Sequence, residues 1–230
     1  MRASSPRWLA ACALAATLQA GAAPVDYGTE RGWGQLTLDR AARTFAISTV
    51  GANAHTCELQ GRLSGAKLNE GTADSCRITL TEGRDGRIAV AAMPATEESC
   101  REFCGMRAYF DGDYLPLPAA CRPDALRQQH ARGLADYRAK RFDAALHAWG
   151  AGLTACERLM DHFGVWRWRN DMAIAAHRLG RHADCVQWSR AVLDEAAPST
   201  FAPTDADTAA PLLKAARFNL GQCRAALSPR

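Results

Sequence analysis

The apolar positions of this chain fall into two regimes. From Gly32 to Phe110 they alternate with polar positions in short runs: Leu36 and Leu38, Phe45 and Ile47, Leu59 and Leu63, Ile78 and Leu80, Ile88 and Val90, and last Arg107-Ala108-Tyr109-Phe110. Turn-forming residues separate the runs at Gly51, Gly65, Asn69-Glu70-Gly71, Gly83 and Asp85-Gly86. A period of two buries one face of a strand, and turns this closely spaced join antiparallel neighbours. The pattern predicts roughly six strands in a small antiparallel barrel or sandwich. From Asp124 the spacing becomes helical: Leu126, Leu134 and Tyr137, then Phe142, Leu146, Trp149 and Leu153. Pro123 suits the first position of a helix. Gly164 and Gly180 punctuate the later segments, and Pro198, Pro203 and Pro211 are expected to bound them. The expected fold class is therefore α+β: a small β-domain over 23–118 and a helical domain over 119–230. Leu115-Pro116-Leu117-Pro118 is taken as the boundary between them.

The first residues follow neither regime. Arg2 and Arg7 precede the apolar run Trp8–Leu18, which has 11 residues, far fewer than the ~20 that span a bilayer. Gln19-Ala20-Gly21-Ala22 then offers small residues at an A-x-A cleavage site. The segment 1–22 reads as a signal peptide for export to the periplasm or the medium. Leu9-Ala10-Ala11-Cys12 also matches a lipobox, but most of the apolar run follows Cys12 rather than preceding it, so cleavage after Ala22 is the preferred reading. No other segment is apolar enough to span a membrane.

Export gives the cysteines their meaning. Beyond Cys12 the chain holds eight: Cys57, Cys76, Cys100, Cys104, Cys121, Cys156, Cys185 and Cys223. An even number in an exported protein points to disulfides. Four lie before Pro116–Pro118 and four after, so each half can close its own bridges and none is expected to cross. Three pairings are open in each half. A hairpin turning near Arg84 favours Cys76–Cys100, which leaves Cys57–Cys104. A Cys100–Cys104 bridge would demand an unusual bend. In the helical half Cys185–Cys223 and Cys121–Cys156 are favoured. Cys100-x3-Cys104 and His182-x2-Cys185 have spacings found in zinc sites, but neither has a second matching pair nearby, and no metal is expected.

Two resemblances sharpen the picture. Cys57-Glu-Leu-x-Gly61, Cys76-Arg-Ile-Thr-Leu80 and Cys100-x3-Cys104-Gly-x-Arg-Ala-x-Phe-Asp-Gly-x-Tyr114 together resemble a small exported β-domain of bacterial periplasmic and lysozyme-inhibitor-like proteins, over roughly residues 27–115. The resemblance implies a cell-wall hydrolase as a partner. In the helical half, Gly133-x3-Tyr137-x4-Phe142-Asp-Ala-Ala145-Leu-x2-Trp149-x3-Leu153 resembles one tetratricopeptide (TPR) unit. Ala173-x6-Gly180-Arg-His-Ala-Asp-Cys185-x7-Leu193 resembles a second, and Leu220-Gly221 the first helix of a third. Gly133, Ala173 and Gly221 would then be equivalent, at separations of 40 and 48 residues. The usual period is about 34, so lengthened helices or loops are expected near 161–165 and 198–211.

Candidate chemistry is sparse. Ser64-Gly-Ala-Lys67 matches S-x-x-K, but it lies in a glycine-flanked turn and lacks the partner motifs of serine acyl-enzymes. Asp111-Gly-Asp113 reads as a turn. His177 and His182 are five apart and cannot share a helix face; they read as surface or groove polar residues. Trp166-Arg-Trp168-Arg169 reads as one core tryptophan beside a half-buried one. No catalytic constellation and no cofactor fingerprint stands out, so the protein is expected not to be an enzyme. The chain has 48% apolar and 23% charged residues, which excludes wholesale disorder. Its formal charge is only +4, without a basic stripe, which argues against nucleic acid as a partner. The asymmetry lies within the chain: residues 24–118 carry 10 basic and 13 acidic side chains, the helical half 16 and 11. The repeat alignment places Arg127, His130, Tyr137, Arg138, Arg167, Asn170, His177 and Arg178 along a concave cationic groove, and arginine forks suit carboxylates. The expected function is non-enzymatic binding of a protein or peptide in the cell envelope, through this groove and the β-domain. Inhibition of, or immunity to, a hydrolase such as a lysozyme is the alternative.

Overall fold

The computed structural model describes residues 23–65, 67–197 and 201–228. The export segment expected over 1–22, with Cys12, lies outside the described residues, as does Pro198. The described chain forms a β-barrel followed by a helical lobe. Eight strands run β1 Val25–Thr29, β2 Gly34–Asp39, β3 Thr44–Val50, β4 Thr56–Ser64, β5 Glu70–Ala73, β6 Cys76–Glu82, β7 Ile88–Ala92 and β8 Gly112–Pro116. Each pairs antiparallel with the next, and β8 pairs with β1 to close the sheet. A short helix, α1 (Glu97–Arg101), lies between β7 and β8. The architecture is thus a closed barrel and not a sandwich.

Closure turns the period-two pattern into an inside and an outside. Leu36, Leu38, Phe45, Ile47, Leu59, Ile78, Leu80, Ile88 and Val90 all point inward and are buried. Eight strands leave an interior just wide enough for side chains to fill. Phe45 needs extra room: a Cβ at Gly61 or Gly71 would stand 2.8 or 2.7 Å from its ring. Polar atoms taken inside are satisfied, as burial without a partner would cost roughly 1–3 kcal/mol each. The Thr49 hydroxyl donates to the Tyr109 carbonyl at 2.8 Å, and the Tyr114 hydroxyl donates to the Phe110 carbonyl at 2.7 Å.

Three strands, β1, β5 and β8, were not legible in the alternation, and one expected strand is absent. β5 is four residues long and starts inside Asn69-Glu70-Gly71, which reads as a turn. β1 lacks a run of large apolar residues. Arg107–Phe110 is a loop, which makes the closing strand β8 later than expected, at Gly112–Pro116. The proline-rich boundary is therefore partly barrel. Pro116 pairs opposite Tyr27, the Leu117 amide donates to the Asp26 carbonyl at 2.9 Å, and the Leu117 side chain already packs against the helical core.

The helical lobe comprises α2 Pro123–Arg138, α3 Phe142–Cys156, α4 His162–Arg178, α5 His182–Ala196 and α6 Pro203–Leu227. α2 and α3 form one antiparallel hairpin, α4 and α5 another, and α6 packs on α4 and α5. The two hairpins turn in the same way. Lys140 and Gly180 both take left-handed backbone angles, φ 60° and 73°. The amides of Arg141 and Arg181 then donate to the carbonyls of Asp136 and Ala176, both at 2.9 Å. These positions are 40 residues apart, the offset read between Gly133 and Ala173. Trp149 and Trp168 fill the seam between helices, and both are closest where glycine leaves space, at Gly133 and Gly152 respectively. Trp166 is as buried as Trp168, in a neighbouring cluster with Phe163 and Phe201, so both tryptophans of the Trp-Arg-Trp-Arg run are core.

The third unit departs from the expected register. Gly221 is exposed and nothing lies near its missing Cβ. The buried positions of α6 are Ala209, Ala216, Asn219 and Cys223. Pro211 does not end a segment but lies within α6.

The disulfides are Cys57–Cys104, Cys76–Cys100, Cys121–Cys156 and Cys185–Cys223. These are the pairings favoured from the sequence, and none joins barrel to helices. The first two pin α1 and its following loop across β4 and β6. The third ties the start of α2 to the end of α3, and the fourth ties α5 to α6.

The two glycines expected to be equivalent should respond oppositely to alanine. Gly133→Ala drives a Cβ into the Trp149 indole, and overpacking of this kind costs about 1–3 kcal/mol. Gly221→Ala, on an open helical face, should stabilise by up to ~1 kcal/mol. Urea unfolding of both variants measures the difference; equal effects would contradict the packing described.

Candidate functional site

A cleft of about 280 Å³ runs between the barrel rim and the helical lobe. Gly28, Gly34 and Gln35 of β1 and β2 form one wall. The other wall comes from α2 and α4, with Arg127, His130, Arg167 and Trp168. The barrel and the lobe meet beside it through a backbone contact. Gly32 takes φ +61°, and a Cβ there would stand 2.6 Å from the Asp161 amide and 2.8 Å from the Leu159 carbonyl oxygen. Ion pairs flank this contact: Arg122 with Asp26 at 2.9 Å and Arg158 with Glu30 at 3.0 Å. Farther round the rim, the Asn53 amide donates to the Asp205 carboxylate at 3.0 Å, and the Thr204 amide donates to the Asn53 side-chain oxygen at 3.1 Å.

Three of the eight residues expected along a groove line this cleft. Arg127 and Arg167 are exposed, and among the described residues neither is ion-paired. His130 links the two helices: its Nε2 lies 2.7 Å from the Asp171 carboxylate, and its ring stacks on Trp168 at 5.6 Å between centroids. Its backbone carbonyl accepts from the Trp149 indole at 3.2 Å. Asp161, the carboxylate lining the cleft among the described residues, is occupied as the N-cap of α4, accepting from the Gly164 amide at 2.8 Å. A cap of this kind satisfies an otherwise unpartnered helix amide.

The remaining expected residues divide by helix face. Arg138 and Arg178 are the last residues of α2 and α4, exposed and without an ion pair among the described residues. Positions 127 and 138, like 167 and 178, differ by 11, three helical turns, so each pair shares one stripe. Asn170 is elsewhere. It is buried between α4 and α6, where its Nδ2 donates to the Leu212 carbonyl at 3.0 Å and its own carbonyl accepts from Asn219. Tyr137 belongs to the seam of the first hairpin, against Phe142 and Trp149. His177 meets His182 across the turn, Nδ1 to Nδ1 at 3.2 Å, and lies 3.5 Å from Cys223 Sγ. The helix-face argument that separated these histidines assumed one continuous helix; Gly180, visible in the sequence, folds the chain back between them. Partial burial, then His182 and Arg178, hold the His177 imidazole below its ordinary pKa.

The other candidates are accounted for locally. Ser64 ends β4 and Lys67 is exposed in the following turn, with no helix start there. Asp111 accepts from the Ala92 amide at 2.6 Å, and Asp113 pairs with Arg87 at 3.1 Å. A second hollow, about 560 Å³, was not anticipated. It lies beside α1 and the loop 104–111, where Met106 is 89% exposed and Tyr109 57%.

No protein-family model, no curated protein and no solved structure matches the chain.

The cleft depends on the approach at Gly32. Gly32→Ala adds a Cβ where backbone already stands and at a left-handed angle, so it should destabilise by more than ~1 kcal/mol. Hydrogen exchange should show faster exchange of the 157–162 amides in this variant. Unchanged stability and protection would show that the two lobes are not held together there.

Proposed function

We propose that this chain is an exported, non-enzymatic binding protein that takes an acidic peptide segment or a chain-terminal carboxylate. The observation that carries the reading is the convergence of Arg127 and Arg167, at matching positions of two helices, on one cleft without an ion-paired acid among the described residues. A guanidinium offers two parallel donors to a carboxylate. Arg138 and Arg178 extend the same stripes toward the hairpin turns. The tetratricopeptide resemblance is supported by the matching turns at Lys140 and Gly180 and by glycine under Trp149. Repeats of that kind bind along the helices that line their inner surface. Four disulfides, with no described helix long and apolar enough to cross a membrane, fit an oxidising periplasmic or extracellular compartment. An export signal over 1–22 belongs to the same proposal.

A second reading, inhibition of a cell-wall hydrolase, is favoured by the loop 104–111. Two disulfides stiffen its base, and it presents Met106 and Tyr109 to solvent. A rigid loop with exposed large side chains loses little entropy on docking.

Capture of partners from a periplasmic extract, read by mass spectrometry, separates the readings. The parent protein should retain a partner that Arg127→Glu/Arg167→Glu loses by at least about tenfold in affinity, a difference of ~1.4 kcal/mol. The double variant should unfold within ~0.5 kcal/mol of the parent. Binding should weaken with salt, as exposed charges are screened beyond ~8 Å at physiological ionic strength. Capture of a lysozyme that survives the double change but fails with Met106→Ala/Tyr109→Ala would favour inhibition. Turnover of peptidoglycan by the pure protein would overturn both.

A further inference from the structure

The turn between α4 and α5 brings together groups that the binding reading does not use. His177 is the penultimate residue of α4 and His182 the first of α5. Between them Gly180, at φ 73°, reverses the chain. The two Nδ1 atoms face each other at 3.2 Å. Cys223 Sγ, in its disulfide with Cys185, lies 3.5 Å from the His177 nitrogen, and the three atoms fall within 4.8 Å of one another. Among the described residues no carboxylate or carbonyl bonds either ring. Two neutral imidazoles can meet through the same nitrogen only as one donor and one acceptor, so the contact holds a single proton.

We propose that His177 and His182 chelate a divalent transition-metal ion of the imidazole-seeking class, zinc or copper(II), through their Nδ1 atoms. Imidazole nitrogen binds zinc at about 2.0–2.1 Å. An ion at that distance from two nitrogens 3.2 Å apart subtends an angle of about 100°, near tetrahedral. The separation of the two nitrogens thus already suits a shared ion; the donor ring moves its proton from Nδ1 to Nε2, and both rings turn their Nδ1 lone pairs towards the ion as neutral ligands. The disulfide sulfur of Cys223 borders the site as a soft, weakly donating neighbour, and the remaining positions are left to water or an external ligand. Imidazole suits zinc and copper and is poorly matched to magnesium or calcium, which take oxygen donors. The matching turn of the first hairpin provides a control within the same chain: positions 137 and 142 hold Tyr137 and Phe142 instead of histidines.

The test uses the full chain with its disulfides intact and metal ions alone. Calorimetric titration with Zn²⁺ should give one ion per chain. His177→Ala and His182→Ala should each weaken binding at least about tenfold, while His147→Ala, on exposed surface, leaves it unchanged. A paramagnetic resonance spectrum of the parent with one equivalent of Cu²⁺ should show coupling to two imidazole nitrogens, a readout that does not depend on any variant folding. Binding that persists in both histidine variants, coupling to fewer than two nitrogens, or absence of one-to-one binding would overturn the site. His177→Gln, which keeps a polar side chain in the turn, should lose the ion as His177→Ala does; retained affinity would also overturn it.

Discussion

The backbone of Gly32 lies against the backbone of residues 159–161, with no space for a side chain between them. At this edge the placement of the helical lobe on the barrel is set around that contact, while Asn53 meets Thr204 and Asp205 farther round the rim. The closing pair β1–β8 delivers the chain to Leu117 at the same edge. Arg122 then pairs with Asp26 and Arg158 with Glu30 across the seam. Exposed ion pairs contribute little each, commonly below ~1 kcal/mol, so they orient the lobes more than they hold them. The close approach keeps Arg127 and Arg167 facing the barrel rim instead of open solvent.

Covalent and non-covalent stabilisation are distributed differently. All four disulfides close loops within a lobe. Bridges of this kind restrict the unfolded chain, each by an amount typically near 2–4 kcal/mol. The seam has none. It is held instead by the backbone approach at Gly32, the packing of Leu117, ion pairs and the hydrogen bonds of Asn53.

The sequence revealed the parts more readily than their junctions. Inward residues such as Leu36, Ile47 and Ile78 alternate cleanly because the barrel has a dry inside. β5 escaped because four residues containing Gly71 cannot display a period. The stretch 115–118, read as the boundary, is barrel as far as Pro116, because a proline at the end of a strand reads equally as the start of a linker. The equal division of the eight cysteines confined the bridges to the halves, and the hairpin near Arg84 favoured one pairing in the first. Arg127 and Arg167 were identifiable from the offset shared by Gly133 and Ala173, whereas the barrel wall opposite them depends on packing that no local pattern encodes. Asn170 carried the right spacing for the groove but faces α6, an element whose register was misread through Gly221. The nearness of His177 to His182 required treating Gly180 as a reversal of the chain and not as a pause in a helix.

The two arginine stripes also define a length. Arg127 and Arg138 are separated by 11 residues of helix, a rise of about 16 Å, and Arg167 and Arg178 repeat the interval on α4. An extended peptide advances about 3.3 Å per residue. A ligand lying along these helices would therefore meet its second pair of guanidinium groups about five residues after its first. Acidic positions at that interval could engage both ends together, whereas adjacent acids would compete for one. The surface would then discriminate by the spacing of charge along a chain and not by its total.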